Sequence, residues 1–431
     1  MPVPFFSGNK QLSIELAEPV VILRGPPTDP TTHVLRGEVE LVLSKPMTAS
    51  SVMIKLVGKS YMLWPEGIGA RGTKMYHEKT IHEQNILLQS EQLLPAGYSR
   101  WPFEFLIPNR LVETIEDEMA KVYYYVSTTV HRIGMGPNLR ARRNILLLRT
   151  LCSDLSLASH SLPSPSIVVE RQLETCDATI CIEKSIVSSG TQFPISLVLA
   201  PHTKHVHLES LSIVLTEKRV YQLPEFGARR GELHDFKLQL TSVINMADNS
   251  LSLDGFVPAS DVPLQHIRRA LAAKNAHIPL AANPFQYRFV FTLPNCIHMN
   301  HTTFFTEMNF LHHLKIHIEL SHTIEQEDDD KRTHVHLETP ITILDCRLKD
   351  DLSTLPTYEE SMVHHKLDEN DETIDKASPG FFICPCYIDF KKNSRQTDSQ
   401  EWIMVRQNAV TARNPLPPPP PYYSADVKQS A

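Results

Sequence analysis

Apolar residues recur at every second position along most of the first 346 residues. Leu12-Ile14-Leu16, Val52-Ile54-Leu56, Phe103-Phe105-Ile107 and Val122-Tyr124-Val126 alternate with polar positions. So do Ile180-Ile182, Phe193-Ile195-Leu197-Leu199, Leu211-Ile213-Leu215, Tyr287-Phe289-Phe291 and Leu314-Ile316-Ile318-Leu320. Each run has the length of a strand, and turn-type residues often lie between runs. This predicts antiparallel strands with one face on a core and the other in water, stacked as β-sandwiches. Helical spacing is rare. Its best case is Asp261–Lys274, where Leu264, Ile267 and Leu271 fall at i, i+3 and i+7 behind Pro263.

That helical segment sits in a strand-poor stretch, 248–284, which reads as a loop insertion. A second break in the pattern is the Ser/Pro-rich stretch 152–168, running through Ser159-His160-Ser161-Leu162-Pro163-Ser164-Pro165-Ser166. Strand signals stop after Leu344-Asp345-Cys346. The expected organisation is all-β: a sandwich over 8–151, a linker over 152–168, a second sandwich over 169–348, and a disordered tail over 349–431.

Composition narrows the function classes. Glycine is scarce, 15 in 431 residues, where average usage would give about thirty, and this disfavours glycine-rich phosphate loops. The net charge is −7 and is uneven: residues 1–160 carry +2 and the remainder −9. That balance argues against a nucleic-acid binder. Seven cysteines show no framework-like spacing, the start Met1-Pro2-Val3-Pro4-Phe5-Phe6 has no secretory pattern, and no stretch approaches the ~20 apolar residues of a membrane helix. The reading is a reduced, cytoplasmic chain.

The tail carries the clearest motif. Pro417-Pro418-Pro419-Pro420-Pro421-Tyr422-Tyr423 fits [PL]-P-x-Y in two registers, Pro419-Pro420-Pro421-Tyr422 and Pro420-Pro421-Tyr422-Tyr423. A second copy, Leu355-Pro356-Thr357-Tyr358, precedes the acidic pair Glu359-Glu360. A proline run adopts the polyproline II helix with little entropy left to lose. Such a peptide docks in the aromatic groove of a WW domain, with the tyrosine in a neighbouring pocket. WW domains are common in HECT-type ubiquitin ligases. The alternative reading of such a tail is a plain spacer.

Two tandem sandwiches with a PY-bearing tail resemble the arrestin fold, and specifically the fungal α-arrestins. The resemblance spans roughly residues 10–346. It rests on Leu12 to Gly25, Val34 to Leu41, Ile54-Lys55-Leu56-Val57-Gly58, Trp64-Pro65-Glu66-Gly67 and Tyr123-Tyr124-Tyr125-Val126 up to His131-Arg132. In the second half it rests on Gly190 to Pro201 and Leu211 to Tyr221. The resemblance implies a non-enzymatic adaptor that brings a WW-domain HECT ligase to plasma-membrane transporters or receptors, promoting their ubiquitylation and endocytosis. It further implies a cytoplasmic protein recruited peripherally to plasma membrane and endosomes, with no cofactor. The rival reading is a sorting scaffold of the same fold, coat-like and independent of a ligase.

Other constellations carry less. Arg140, Arg142, Arg143 and Arg149 form the densest basic cluster. Guanidinium forks suit phosphate, so the cluster is an expected contact for anionic lipid or a phosphorylated cargo tail; a solvated loop rim is the plainer reading. Histidine is abundant, 21 in all. His205 with His207, or His334 with His336, would share a strand face and could pair as zinc ligands, yet solvent-facing positions account for them and no metal is expected. His77-Glu78-Lys79-Thr80-Ile81-His82 misses H-E-x-x-H by one position and does not read as helix. The apolar island Phe381–Ile388 reads as a strand that docks back on a sandwich, or as a site of acylation at its cysteines.

Overall fold

A computed structural model describes residues 12–65, 75–134, 136–150, 165–246, 264–272, 275–280, 285–323 and 330–348. All of them belong to one unit, residues 1–384. Both PY motifs, the Phe381–Ile388 island and most of the 152–168 stretch lie outside the described residues.

The first sandwich comprises β1 (Leu12–Leu16), β2 (Val20–Arg24), β3 (Thr32–Leu43), β4 (Met47–Trp64), β5 (Met75–Gln89), β6 (Gln92–Leu94), β7 (Gly97–Pro108), β8 (Ile115–Glu116), β9 (Ala120–Arg132) and β10 (Leu139–Thr150). One sheet has the order β1-β3-β7, the other β2-β10-β9-β4-β5, with β6 on β4 and β8 on β9. The alternation maps onto the two faces as the pleat requires. On β9, Val122, Tyr124, Val126 and Val130 are fully buried, while Tyr123 and Tyr125 stack on the opposite face with ring centroids 6.4 Å apart. Tyr124 donates its hydroxyl to the Val112 carbonyl at 2.7 Å, and its ring fills the space above Gly58. A Cβ at position 58 would stand 2.4 Å from that ring. Glycine there is a packing requirement.

The second sandwich comprises β11 (Ile167–Gln172), β12 (Cys176–Ile182), β13 (Ile186–Ser188), β14 (Gln192–Pro201), β15 (Val206–Leu223), β16 (Ala228–Lys237), β17 (Gln239–Asn245), α1 (Leu264–Ala272), β18 (Ile278–Pro279), β19 (Phe285–Thr292), β20 (Thr303–Phe304), β21 (Met308–Thr323) and β22 (Asp330–Leu344). Its sheets run β11-β12-β14-β19-β17 and β13-β22-β21-β15-β16. The two halves repeat one plan. Each long sheet begins with a short strand parallel to its last long one, β2 on β10 and β13 on β22. The helix forms where the spacing of Leu264, Ile267 and Leu271 places it, and buries Ile267 and Ala270 in the second core. It is the sole α-helix among the described residues, and no described helix is long and apolar enough to cross a membrane.

The long strands β15 and β21 overrun their own sandwich. Tyr221 and Leu223 from β15, with Met308 and Phe310 from β21, pack into the hydrophobic cluster of the first sandwich. Tyr221 and Phe310 meet edge to face at 5.8 Å. Burying side chains of this size contributes roughly 1.5–3 kcal/mol each, so the contact between the halves has an apolar floor. The polar groups above it define the site.

Candidate functional site

The site is built from segments far apart in sequence, all meeting where the two sandwiches touch. Arg219 of β15 stands at its centre. Its guanidinium lies 3.4 Å from Asp117 Oδ1, 3.0 Å from Glu217 Oε2 and 3.2 Å from the His298 carbonyl. The Asp117 carboxylate also accepts the Tyr221 hydroxyl at 2.9 Å and the Met119 amide at 3.0 Å. Asn300 donates its side-chain amide to Asp117 at 3.0 Å and to Glu217 at 3.1 Å. Asp117 comes from the first sandwich, and the other charged groups come from the second. Side-chain exposure is 13% for Arg219, 3% for Asp117 and 0% for Glu217. Asn300 opens the sequon Asn300-His301-Thr302, but its amide is committed here, which is incompatible with an attached glycan.

Two further nodes flank this centre. On one side Arg149 of β10 pairs with Glu113 at 2.9 Å and donates to the carbonyls of Gly25 (3.0 Å) and Asn109 (2.8 Å). His301 sits between Glu113 (3.9 Å) and Asp345 (4.0 Å), and Arg347 bridges Asp345 (3.6 Å) to Glu116 of the first sandwich (3.3 Å). On the other side Glu307 accepts the Ser60 hydroxyl and pairs with Lys79 at 3.1 Å. Lys79 and His77 of β5 also face Glu225, at 3.6 and 3.7 Å. Every node therefore crosses the boundary between the halves or abuts a group that does.

His312 on β21 lies wholly buried beneath the centre. Its Nδ1 is 2.9 Å from the Thr302 hydroxyl, which itself accepts the Ile343 amide at 2.8 Å. The hydroxyl hydrogen is thus free to point at Nδ1, which places the imidazole proton on Nε2. That Nε2 is 4.0 Å from Glu217, beyond hydrogen-bonding distance. Burial, with His301, Arg219 and His313 nearby, lowers its pKa to about 3, so the contact with Glu217 is not an ion pair at neutral pH. The unfolded chain takes up a proton at the ordinary value near 6.5, roughly. Below that pH the unfolded state binds more protons. The contribution is present above about 6.5 and is lost as pH falls toward 3, at up to about 1.4 kcal/mol per unit. His312→Gln is expected to flatten the fall of melting temperature between about pH 6.5 and 5. Parallel slopes for the two proteins would contradict this.

The sequence-predicted residues divide. Arg140 and Arg142 are exposed on the outer face of β10, and Arg142 lies 3.8 Å over the Tyr125 ring. Arg143 is on the opposite face of the strand, half-buried. Arg149 is a correction. Its side chain is 9% exposed and its fork is committed to Glu113 and backbone carbonyls, so it cannot meet a lipid surface. His205 does not share a strand face with His207 either: it precedes β15 with φ 64°. His334 and His336 lie on β22, with His317 of β21 5.3 and 6.3 Å from them, ring to ring. Among the described residues no group of three or more His, Cys, Asp or Glu could hold a metal ion. His77 and His82 belong to strand β5, not to a helix.

The residues of the polar centre were not read from the sequence, although a signal was present. The apolar stripe Leu211-Ile213-Leu215 continues on the same side of β15 as Glu217-Arg219-Tyr221-Leu223. Two charges in a core-facing stripe require partners.

Two sandwiches locked by buried charge across their junction make a two-domain all-β body. Residues 26–152 match the family model described as arrestin (or S-antigen), N-terminal domain. A Schizosaccharomyces pombe protein named as an arrestin-related trafficking adapter is 26% identical over 82% of this chain and 57% of its own length. The HECT-type ubiquitin ligase-interacting protein creD of Emericella nidulans is 23% identical over 50% of this chain and 38% of its own length. The chain thus spans about half the length of these relatives, or less. It carries an arrestin N-terminal domain and is a homologue of the fungal arrestin-related trafficking adapters.

Proposed function

We propose that this chain is a non-catalytic adaptor that holds a WW-domain HECT-type ubiquitin ligase through Leu355-Pro356-Thr357-Tyr358 and Pro419-Pro420-Pro421-Tyr422-Tyr423, and presents it to a membrane transporter or receptor. The observation that carries the reading is the joining of two PY motifs to an arrestin-like body in one chain. The name of the creD relative, a HECT-type ubiquitin ligase-interacting protein, supports it. In this reading the protein works in the cytoplasm and is recruited to plasma membrane and endosomes. The test is affinity purification of the intact chain beside a Tyr358/Tyr422/Tyr423 triple alanine variant, with mass spectrometry of the partners. The adaptor predicts a HECT ligase with the first and none with the second. A ligase-independent sorting scaffold predicts the same partners from both.

The membrane contact is carried by Arg140 and Arg142 on the exposed face of β10. Basic residues near an anionic surface contribute about 1 kcal/mol each and are screened by salt. Charge reversal at both positions is expected to weaken sedimentation with phosphatidylserine vesicles by roughly tenfold or more at low salt. Charge reversal at Arg149 would instead unfold the junction. Unchanged binding by the Arg140/Arg142 variant would remove the idea.

A further inference from the structure

Two imidazoles lie face to face over a buried carboxylate at the head of β15. The His207 and His277 rings are within 8° of parallel, with centroids 4.0 Å apart. His277 Nδ1 is 2.9 Å from Glu209 Oε1, and the His277 amide donates to Glu209 Oε2 at 3.3 Å. A carboxylate only accepts, so the proton of the His277 ring sits on Nδ1. Ser321 of β21 donates its hydroxyl to the same Glu209 oxygen at 2.6 Å. The Glu209 side chain is 5% exposed and that of His277 62%, so the carboxylate is enclosed while water reaches the ring above it. Glu209 stands where β15 shifts register against β21, between Leu208 and Ser210. Such a bulge re-aims a side chain, here toward the loop that carries His277.

The segment held by these contacts is 275–280, which follows α1. Asn275 and His277 have φ of 63° and 51°, in the left-handed region that residues other than glycine adopt at a cost. The bonds to β15 offset that cost. The Ala276 amide donates to the Glu209 carbonyl and the Leu280 amide to the Val206 carbonyl, both at 2.8 Å, and β18 pairs with His207 and Leu208. Ile278 and Leu280 are thereby buried in the second core. The other titratable groups around the stack come from three strands. His205 precedes β15 and acts on His207, and His322 of β21 stands opposite Val206. Arg332 of β22 bridges Glu319 of β21, at 2.6 Å, to Asn275, at 3.4 Å. Arg332 and Glu319 offset one another, which leaves one carboxylate, Glu209, for the two stacked rings.

We propose that His207, His277 and Glu209 form an acid-released clasp: Glu209 matches one proton on the stack, and a second proton, taken up on acidification, splits the rings and frees segment 275–280 from β15. Burial first, and then the neighbouring His277 ring, holds the His207 imidazole below its ordinary value. Burial opposes the charge on Glu209, but the bonds from Ser321 and His277 outweigh it and keep that carboxyl below its ordinary range. The closed clasp therefore excludes a proton that an open histidine accepts near pH 6.5, roughly. The clasp holds above that pH. Below it the open form binds more protons, and the opening equilibrium rises by up to about tenfold per pH unit. Release takes Ile278 and Leu280 out of the core, while the long strands β15, β21 and β22 stay paired.

Hydrogen–deuterium exchange of the full chain, read by mass spectrometry from about pH 7.5 to about pH 5.5 and corrected for the intrinsic exchange rate, tests the clasp. In the wild type, protection of peptides covering 275–280 should fall by roughly tenfold across that range, while β9 and β21 keep theirs. Because β21 carries His312, its protection separates local release from acid unfolding. His207→Phe keeps an aromatic ring in the stack and takes no proton, so its segment should stay protected at the lower pH. Glu209→Gln keeps the shape but leaves a charged His277 unmatched, so release should move to higher pH. A wild-type segment whose protection ignores pH would overturn the clasp, as would a His207→Phe segment that opens in step with the wild type. Should the phenylalanine variant not fold, Glu209→Gln decides: release at the wild-type pH would overturn the proposal.

Discussion

Replacing Arg219 by methionine should destabilise the chain by about 3–5 kcal/mol, because it strands buried carboxylates without their counter-charge. Glu217 is wholly enclosed and Asp117 nearly so. Each would keep only neutral donors: Tyr221, Asn300 and the Met119 amide on Asp117, Asn300 alone on Glu217. The asymmetry of buried ion pairs supplies the control. Removing one partner costs far more than replacing both with apolar groups of similar shape. The double variant Arg219→Met/Glu217→Leu should therefore recover part of the loss, since only Asp117 then lacks a cation. Thermal denaturation of the three proteins at pH 7 decides it. A single variant within about 1 kcal/mol of wild type would mean that water, not protein, solvates this centre.

The consequence reaches past stability. Asp117 comes from the first sandwich and Arg219 from the second, so the single variant should also loosen the junction. Proteolysis of Arg219→Met should show cleavage between the halves at temperatures where the wild type resists.

Strand alternation was legible because a buried face leaves a period of two in the sequence. Val122-Tyr124-Val126 and Leu314-Ile316-Ile318-Leu320 lie buried on β9 and β21 as that period dictates. Helix α1 was legible for the same reason at a different period. The polar centre was not, because its members are drawn from residues 109–117, 149, 217–221, 298–301 and 345–347, and sequence neighbours say nothing about such meetings. What could have been read is local. Glu217 and Arg219 interrupt the apolar stripe of β15, and His312 interrupts Phe310-Leu314-Ile316 on β21. Arg149 was misplaced by counting charge density without strand period. It shares the face of Ile145 and Leu147, both fully buried, whereas Arg140 and Arg142 share the outer face.

The two PY motifs should act as a bivalent ligand for one ligase. Tyr358 and Tyr422 are separated by 64 positions, mostly polar or proline-rich apart from the Phe381–Ile388 island. A flexible chain of that length has an r.m.s. span of roughly 40–50 Å, enough to bridge two WW domains on one partner. Linking two weak sites raises overall affinity by about 10²–10⁴ without any new contact. The C-terminal motif should be the stronger anchor, because its full proline run is preorganised, whereas Leu355 replaces a stacking proline upstream. Tyr358→Ala should therefore cost little against an isolated WW domain, which the C-terminal motif alone can occupy, and at least tenfold against a tandem array. Removing Tyr422 and Tyr423 together should weaken both formats, the array more. Titrating each variant against one WW domain and against the array, by calorimetry or fluorescence anisotropy, gives four ratios. Equal losses in the two formats would eliminate bivalency, and a larger loss from Tyr358→Ala than from the C-terminal pair would reverse the ranking of the motifs.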